Sequence, residues 1–599
     1  MAVENADQRD DVIVSRSQID GDMLVEWDVP IEMDDGIVLR ADVFRPNRPG
    51  TFPVLMSSGP YGKGLTWTTG VYETQWETLV SDHPDVLEGS SGRYQSWETA
   101  DPEKWVPWGY ALVRVDSRGA GRSPGFLDPF SPREMRDFHD CIEWAADQPW
   151  CNGKVGLAGI SYYAVTQWLV ANLAPPHLAA ICPWEGAGDL YRDGACHGGI
   201  PSPFFGNWVD KQLAYVQHGV GERGQRNLNN GELAAGPPTL PEAELVANRR
   251  DLRAAGREHL LFDEFWRQLA TDWSKVRVPM LAAVNWGGQG LHPRGGYAGF
   301  EQAASERKWL EVHGLEHWTH FYTAYGLDLQ RRFFDHFLKG EENGWRDQPP
   351  VFLQVRHVDR FEPRAEQEWP LARTQWRKLY LDLDNGSLTW EKPEQPGSRS
   401  FRAMEEKIAL VTEPFERETE ITGPVAAKLF AASSTTDADL FLVVHLFDPD
   451  GNEVTFPGTV DPHTPIGQGW LRASHRKLDP ERSRPFQPYH PHDEVEPLEP
   501  GETYELDVEI LPTCIVVPSG YRLGLSVRGT DYEYEGGELG DRANLSTFAN
   551  VMKGSGPFVH DDPVTRPPEI YGGTTTIHSG GAHTSYVLLP IIDGSARAD

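Results

Sequence analysis

The chain has 599 residues, 39% of them hydrophobic and 11% aromatic, which predicts two or three domains with substantial cores. Its 55 basic and 89 acidic residues give a net charge of -34, which would repel phosphate backbones and anionic membranes. We therefore expect no nucleic-acid partner and no membrane association. No stretch approaches the length of a membrane span, and the polar first dozen residues predict no signal peptide.

The five cysteines show neither a CxxC motif nor the spacing of a metal site. An odd number of thiols without such spacing favours reduced cysteines in a cytoplasmic protein. The sequence also contains no ligand cluster for a metal, and we expect no metal and no organic cofactor.

The first half of the chain has the pattern of an α/β domain. Alternating runs at 29–33 and 37–44, joined by an Asp-Gly turn, predict a β-hairpin. Buried strands are predicted at 52–56, 110–115, 154–158 and 178–182. One helix follows the cap residue Ser131, and another spans about 164–173. This alternation predicts a largely parallel sheet with helices on both faces.

Residues 187–271 interrupt the pattern, and their helical patches at 242–255 and 261–270 predict a helical cap over the sheet. Strands return at 278–284 and 308–312, and an amphipathic helix at 327–338 would close the domain. After about residue 365, short alternating strands predict a β-sandwich of the jelly-roll kind. The predicted domains are therefore an α/β domain at 25–186 and 272–345, a cap at 187–271 and a β domain at 365–599.

The strongest chemical signal is Ser161, which stands between a buried strand and a predicted helix. A serine at such a turn is exposed at the edge of the sheet, and Gly159 two positions earlier provides the space that the turn needs. The start of the following helix favours developing negative charge. The match to Gly-x-Ser-x-Gly is partial, because Tyr163 occupies the last position.

Several further segments with distinctive motifs are spread along nearly the whole chain. They are 33–46, Pro60-Tyr61, Asp116-Ser117-Arg118-Gly119 with Gly121, Ser123 and Gly125, 150–156, 159–162, 189–191 and 333–335. With these motifs the sequence resembles the cocaine esterase / X-prolyl dipeptidyl peptidase family of α/β-hydrolases. The resemblance implies an α/β-hydrolase sheet with a helical cap insertion and a C-terminal β-sandwich (jelly-roll) domain.

The resemblance also implies roles for individual residues. Ser161 matches the nucleophile, and the hydroxyl of Tyr61 and the backbone N–H of Tyr162 match the donors of an oxyanion hole. Such donors are typically worth about 3–4 kcal/mol each. The register after the strand at 310–312 places His317 as the general base. We expect a surface or structural role for His313 and His320.

The acid of the triad departs from the family pattern. The family has an aspartate two residues after a tryptophan, and here Gly288 stands at that position. Glu185, which comes directly after the strand that precedes the cap, is the predicted replacement. It keeps the chain order Ser, Glu, His. A loop glutamate that contacts the cap is the alternative reading of Glu185, and Glu316 is the second choice for the acid.

The predicted function is a serine hydrolase that cleaves an ester or amide bond of a small acyl substrate through an acyl-enzyme. An X-Pro or acyl-amino-acid peptidase of the same fold, and a non-catalytic protein on a decayed hydrolase scaffold, are the alternatives. The expected partner is a small-molecule ester or amide, and the sequence leaves a homodimer open. Four aromatic residues are expected to line the pocket: Trp184, Phe204, Phe205 and Trp208.

Overall fold

One large mixed sheet forms the centre of the first half of the chain in the computed structural model, which describes residues 13–68, 72–536 and 553–592. The first dozen residues, to which the signal-peptide prediction refers, lie outside these ranges. The strands described up to residue 366 are β1 (Arg16–Asp20), β2 (Met23–Glu32), β3 (Val38–Pro46), β4 (Phe52–Gly59), β5 (Ala111–Asp116), β6 (Cys151–Ile160), β7 (Leu178–Trp184), β8 (Cys196–His197), β9 (Ile200–Pro201), β10 (Met280–Asn285), β11 (Lys308–His313), β12 (Val351–Arg356) and β13 (Phe361–Glu366).

All of these strands except β8 and β9 join one sheet in the order β1-β2-β3-β5-β4-β6-β7-β10-β11-β12-β13. The neighbours from β5 to β12 run parallel, as the alternation of strands and helices predicts. The predicted hairpin is confirmed, because β2 and β3 pair antiparallel. Strands β4, β5 and β10 are buried along their whole length, which explains their continuous apolar runs.

Helices cover this sheet and fill the insertion. They are α1 (Glu73–Asp82), α2 (Pro102–Trp105), α3 (Pro132–Ala146), α4 (Tyr162–Ala171), α5 (Phe204–Trp208), α6 (Glu242–Ala247), α7 (Leu252–Glu258), α8 (Glu264–Arg267), α9 (Pro293–Gln302), α10 (Thr319–Tyr322) and α11 (Ala324–Phe334). Shorter 3-10 or π turns occupy Pro84–Leu87, Tyr191–Ala195, Val209–Leu213, Gly221–Arg223, Trp273–Lys275, Asp335–Lys339 and Trp345–Asp347.

The helices of the insertion are shorter than the sequence predicts. The patch at 242–255 is two helices, because the side chain of Asp251 caps α7 and so starts a new helix. The patch at 261–270 contains only the single turn α8, which Asp263 caps. The helix predicted at 327–338 begins three residues earlier, as α11, and changes into a π turn at Asp335.

The C-terminal part is a β domain with its own hydrophobic core. Its strands are β14 (Thr374–Asp382), β15 (Ser387–Thr389), β16 (Gly397–Arg402), β17 (Lys407–Thr412), β18 (Thr419–Ser433), β19 (Asp439–Phe447), β20 (Gly467–Arg472), β21 (Tyr504–Val517), β22 (Arg522–Arg528), β23 (Thr574–Ser579) and β24 (Tyr586–Ile592). A short 3-10 turn (Ala473–His475) and a one-turn helix, α12 (Pro568–Tyr571), complete it. Pairing of β18 with both β21 and β24 closes the circuit of strands, so the domain resembles a barrel or sandwich.

Two predictions about the chain as a whole can be compared with the structure. No helix in the described ranges combines the length and the hydrophobicity of a membrane span. The five cysteines all lie in those ranges, where each is buried and none forms a disulfide.

Candidate active site

Ser161 lies on a strained turn between β6 and α4. Its φ is 56°, in the left-handed region that side chains other than glycine rarely adopt. At Gly159 an added Cβ would lie 2.5 Å from Cβ of Tyr163, so only glycine lets α4 approach the strand so closely. The backbone N–H of Ser161 donates to the carbonyl of Trp184 at 3.0 Å and anchors the turn on β7. The predicted strand–serine–helix arrangement is therefore present.

The hydroxyl of Ser161 is hydrogen-bonded to His292, whose Nε2 lies 3.0 Å from Oγ. His292 immediately precedes α9 and is almost completely buried. Burial lowers its pKa to about 3, so the imidazole is neutral near pH 7 and can accept a proton. This histidine was not among the predicted site residues.

Glu185 lies behind His292. Its Oε2 is 3.7 Å from His292 Nδ1, and neither atom has a hydrogen-bond partner in the described part of the chain. The other carboxylate oxygen, Oε1, is 2.9 Å from His313 Nε2 and accepts a bond from Asn285 Nδ2 at 3.2 Å. The pKa of Glu185 is raised, because burial outweighs the hydrogen bond from His313 and its charge, which lower it. The predicted acid is thus aligned with a histidine, although this histidine is His292.

His317, the predicted base, lines the same pocket and faces a different carboxyl group. Its Nε2 lies 2.8 Å from Oε1 of Glu98, and its ring centroid is 5.9 Å from that of His292. Its backbone N–H donates to the carbonyl of Thr459, in the β domain, at 3.2 Å. Burial lowers the pKa of His317 and raises that of Glu98, so it disfavours the charged form of each group.

The other acidic and histidine candidates are Glu316, His313 and His320. Glu316 accepts a hydrogen bond from the hydroxyl of Thr319 at 3.0 Å at the start of α10. His313 is fully buried, so a surface role is wrong for it, and the ring of His320 lies 5.3 Å from the ring of His313.

The two predicted oxyanion donors flank Ser161. Tyr61 lines the pocket, and its oxygen accepts a bond from Trp208 Nε1 at 3.2 Å, so the phenol proton can be donated in another direction. Tyr162 is the first residue of α4, and the first N–H groups of a helix have no acceptor within that helix. Its hydroxyl donates to Glu134 at 2.6 Å, which fixes the residue that follows the nucleophile.

Side chains from three parts of the chain line the pocket around Ser161. Its lining comprises Tyr61, Gln75, Trp97, Glu98, Ser161, Phe204, Trp208, Gln212, Leu291, His292, His317, Thr459, Val460, Pro557 and Phe558. Two of the four predicted aromatic residues, Phe204 and Trp208, are in this lining. Trp184 instead stacks on His313 behind the site, and Phe205 lines a separate cavity beside Trp266.

Comparisons with known proteins identify the family of the chain. Residues 35–322 match the family described as X-Pro dipeptidyl-peptidase (S15 family), and residues 343–588 match the C-terminal non-catalytic domain of X-Pro dipeptidyl-peptidases. The crystal structure of a CocE/NonD family hydrolase from Staphylococcus aureus is 35% identical, with a TM-score of 0.80, and the match covers 95% of this chain and 94% of that one. The chain belongs to the CocE/NonD hydrolase family. It is a serine hydrolase.

Curated relatives of this CocE/NonD hydrolase include both esterases and peptidases. A cocaine esterase from Rhodococcus sp. is 24% identical over 663 residues, which cover 96% of this chain and all of that protein. A putative Xaa-Pro dipeptidyl-peptidase from Streptomyces avermitilis is also 24% identical, with 71% of this chain and 68% of that protein covered. The family resemblance inferred from the motifs is thus confirmed.

Proposed function

We propose that this hydrolase is a serine esterase for small, uncharged acyl esters, with Ser161 as nucleophile, His292 as general base and Glu185 as the acid that orients it. The hydrogen bond of 3.0 Å between Ser161 Oγ and His292 Nε2 carries the proposal. The order Ser161, Glu185, His292 along the chain is the order found in α/β-hydrolases. His317, the base that the sequence predicts, is the competing assignment.

The proposed reaction is acyl transfer in two steps. Ser161 Oγ attacks the ester carbonyl while His292 Nε2 takes the hydroxyl proton, and the developing oxyanion is held by the Tyr61 hydroxyl and the Tyr162 N–H. Collapse of the tetrahedral intermediate breaks the bond to the alcohol, which leaves with the proton from His292. Water then attacks the acyl-enzyme in the same way, and the acid is released as Ser161 regains its proton.

Glu98 supports an ester in preference to an X-Pro peptide. A peptidase that recognises a free N-terminus needs an ionised carboxylate beside the nucleophile to bind the substrate ammonium. Glu98 lines the pocket, but burial raises its pKa and so disfavours the ionised form, and its Oε1 already lies 2.8 Å from His317 Nε2. The remaining lining is largely aromatic and aliphatic, which suits an uncharged acyl group.

Labelling by a fluorophosphonate tests the nucleophile. We expect mass spectrometry to locate the adduct on Ser161 and the variant Ser161→Ala to stay unmodified. An unmodified parent protein would support the non-catalytic alternative, and a modified Ser161→Ala protein would disprove the assignment of the nucleophile.

A panel of substrates then tests the proposed substrate class. We expect turnover of small aryl esters to exceed that of X-Pro anilides and acyl-amino-acid anilides by kcat/KM. Preference for either anilide would replace the esterase proposal with a peptidase of the same fold.

Several wider assignments are also part of the proposal. The α/β domain comprises 25–186 and 272–345, the cap 187–271 and a jelly-roll β domain 365–599. The reaction needs no metal or organic cofactor. The protein acts in the cytoplasm on a small-molecule ester, without nucleic acid or membrane, as a monomer or a homodimer.

A further inference from the structure

A second histidine lies on the far side of Glu185. His313 ends β11, directly beside Asn285 of β10, and its Nε2 is 2.9 Å from Glu185 Oε1. Its other ring nitrogen, Nδ1, is 2.6 Å from Oε2 of Glu311. His313, Glu185 and Glu311 all have 0% of their surface exposed. A buried row of alternating histidine and glutamate side chains therefore extends from Ser161 through His292, Glu185 and His313 to Glu311.

The two contacts of His313 fit an imidazolium that lies between two ionised carboxylates. Each ring nitrogen faces a carboxylate oxygen, and a carboxylate can only accept a hydrogen bond. A neutral imidazole has a single N–H, whereas an imidazolium has one on each nitrogen and satisfies both contacts. Burial alone would lower the pKa of His313, but the charges and hydrogen bonds of Glu311 and Glu185 raise it to about 10.

The other histidines and the thiol beside the two carboxylates are neutral near pH 7, while burial and the charge of Glu185 raise the pKa of Glu98. His320 packs against His313, and burial lowers its pKa to about 3. Burial and the charge of Glu311 raise the pKa of the Cys182 thiol, and burial lowers the pKa values of His292 and His317.

The remaining contacts add no charge. Tyr325 donates its phenol proton to Glu311 Oε1 at 3.1 Å, and the Trp184 ring stacks on His313. The imidazolium therefore balances one of two carboxylates and leaves one negative charge on the row behind His292.

We propose that His313 is a positioning residue, an imidazolium clamped between Glu185 and Glu311 that keeps Glu185 ionised and directs its free oxygen toward His292. A carboxyl group that is buried without a counter-charge takes up a proton. A protonated Glu185 could not stabilise the imidazolium that forms on His292 during attack. The inference rests on the proposed triad, but the charge of His313 can be measured without catalysis.

The direct test is NMR of the whole chain with ¹⁵N-labelled histidine, in which the spectrum of His313→Gln identifies the His313 signals. We expect both ring nitrogens of His313 to remain protonated between pH 6 and 8 in the resting enzyme. A neutral His313 in this range would overturn the proposal. An imidazolium found together with an unlabelled Ser161 would leave the charge assignment standing and disprove the triad instead.

Kinetics of His313→Gln test the consequence for catalysis. Glutamine can still donate one N–H to Glu185 but supplies no charge, so Glu185 should protonate at higher pH. We expect the apparent pKa of the acid limb in the pH profile of kcat/KM to move up by about one pH unit or more. At a pH on that limb, kcat/KM should then fall about tenfold, and the loss should recover at alkaline pH.

His320→Gln is the matched control, because His320 is a neutral neighbour outside the row. The apparent pKa of its acid limb should stay within about 0.3 pH units of the parent value, which is much less than the shift expected for His313→Gln. A loss in His313→Gln that is equal at every pH would indicate a purely structural role and contradict the proposal.

Discussion

Glu185 occupies the space beside Gly288, the position at which the family has its triad aspartate. A Cβ added to Gly288 would lie 3.5 Å from Glu185 Oε2. In the proposed triad, the carboxylate that the family places after β10 comes instead from the end of β7, one strand away in the sheet. A glycine at 288 leaves the room that this longer side chain needs.

Glu185→Gln should remove the ionised acid and leave the shape of the site unchanged. We expect kcat to fall by a factor on the order of 10³–10⁴, by analogy with the loss of a triad acid. Glu316→Gln is the control and should retain most of the activity, because Glu316 bonds to Thr319 instead. An active Glu185→Gln enzyme would show that His292 works without this carboxylate.

The effect of Gly288→Asp on kcat should depend on which residue stands at position 185. In the parent chain the new carboxyl would stand beside Glu185 and close to the hydroxyl of Thr459, so repulsion and crowding should lower both the melting temperature and kcat. In the Glu185→Gln background, we expect the aspartate to restore about tenfold or more of the lost turnover. Steady-state kinetics of the two single variants and the double variant check this, and a purely additive loss would contradict it.

Tyr61→Phe should weaken the oxyanion hole. We expect kcat to fall by about 10²–10³ with little change in KM, since the phenol acts on the transition state. Tyr163→Phe is the matched control, because its ring packs 5.8 Å from that of Tyr61 and lies outside the pocket lining. Equal losses in the two variants would point to a packing defect instead of a lost donor.

His292 should also influence how stability depends on pH. Its native pKa of about 3 lies below the ordinary value of 6.5, so below pH 6.5 the unfolded chain binds a proton that the native chain does not. The histidine therefore reduces stability as pH falls, by up to about 1.4 kcal/mol per pH unit. Urea unfolding at pH 7, 6 and 5 should show a smaller loss for His292→Gln than for the parent. Equal losses would mean that His292 titrates normally.

Local patterns were sufficient for the parts of the site that depend on chain neighbours. Ser161 stands out in the sequence because its strand, turn and helix are contiguous, and Glu185 because it directly follows a buried strand. His292 lies in the loop after β10, where no local motif marks a general base; a histidine four residues after Gly288 and just before Pro293 is the available signal.

Long-range packing decides the rest and leaves no local pattern. Glu98 has a φ of 61° in an irregular segment, and it meets His317 across 219 residues of sequence. The strands of the β domain were readable from their alternation, but the closure of their circuit depends on pairing between β18 and β24. Such pairings are set by the folded arrangement and not by neighbouring residues.

The most direct test of the assigned base is the rate at which a fluorophosphonate acylates Ser161 in His292→Gln and in His317→Gln. If His292 takes the proton of Ser161, its variant should react slower than the parent by a factor on the order of 10³ or more, and His317→Gln should stay within about tenfold of it. If His317→Gln loses as much as His292→Gln, or more, the proton passes to His317 and the assignment of His292 is wrong.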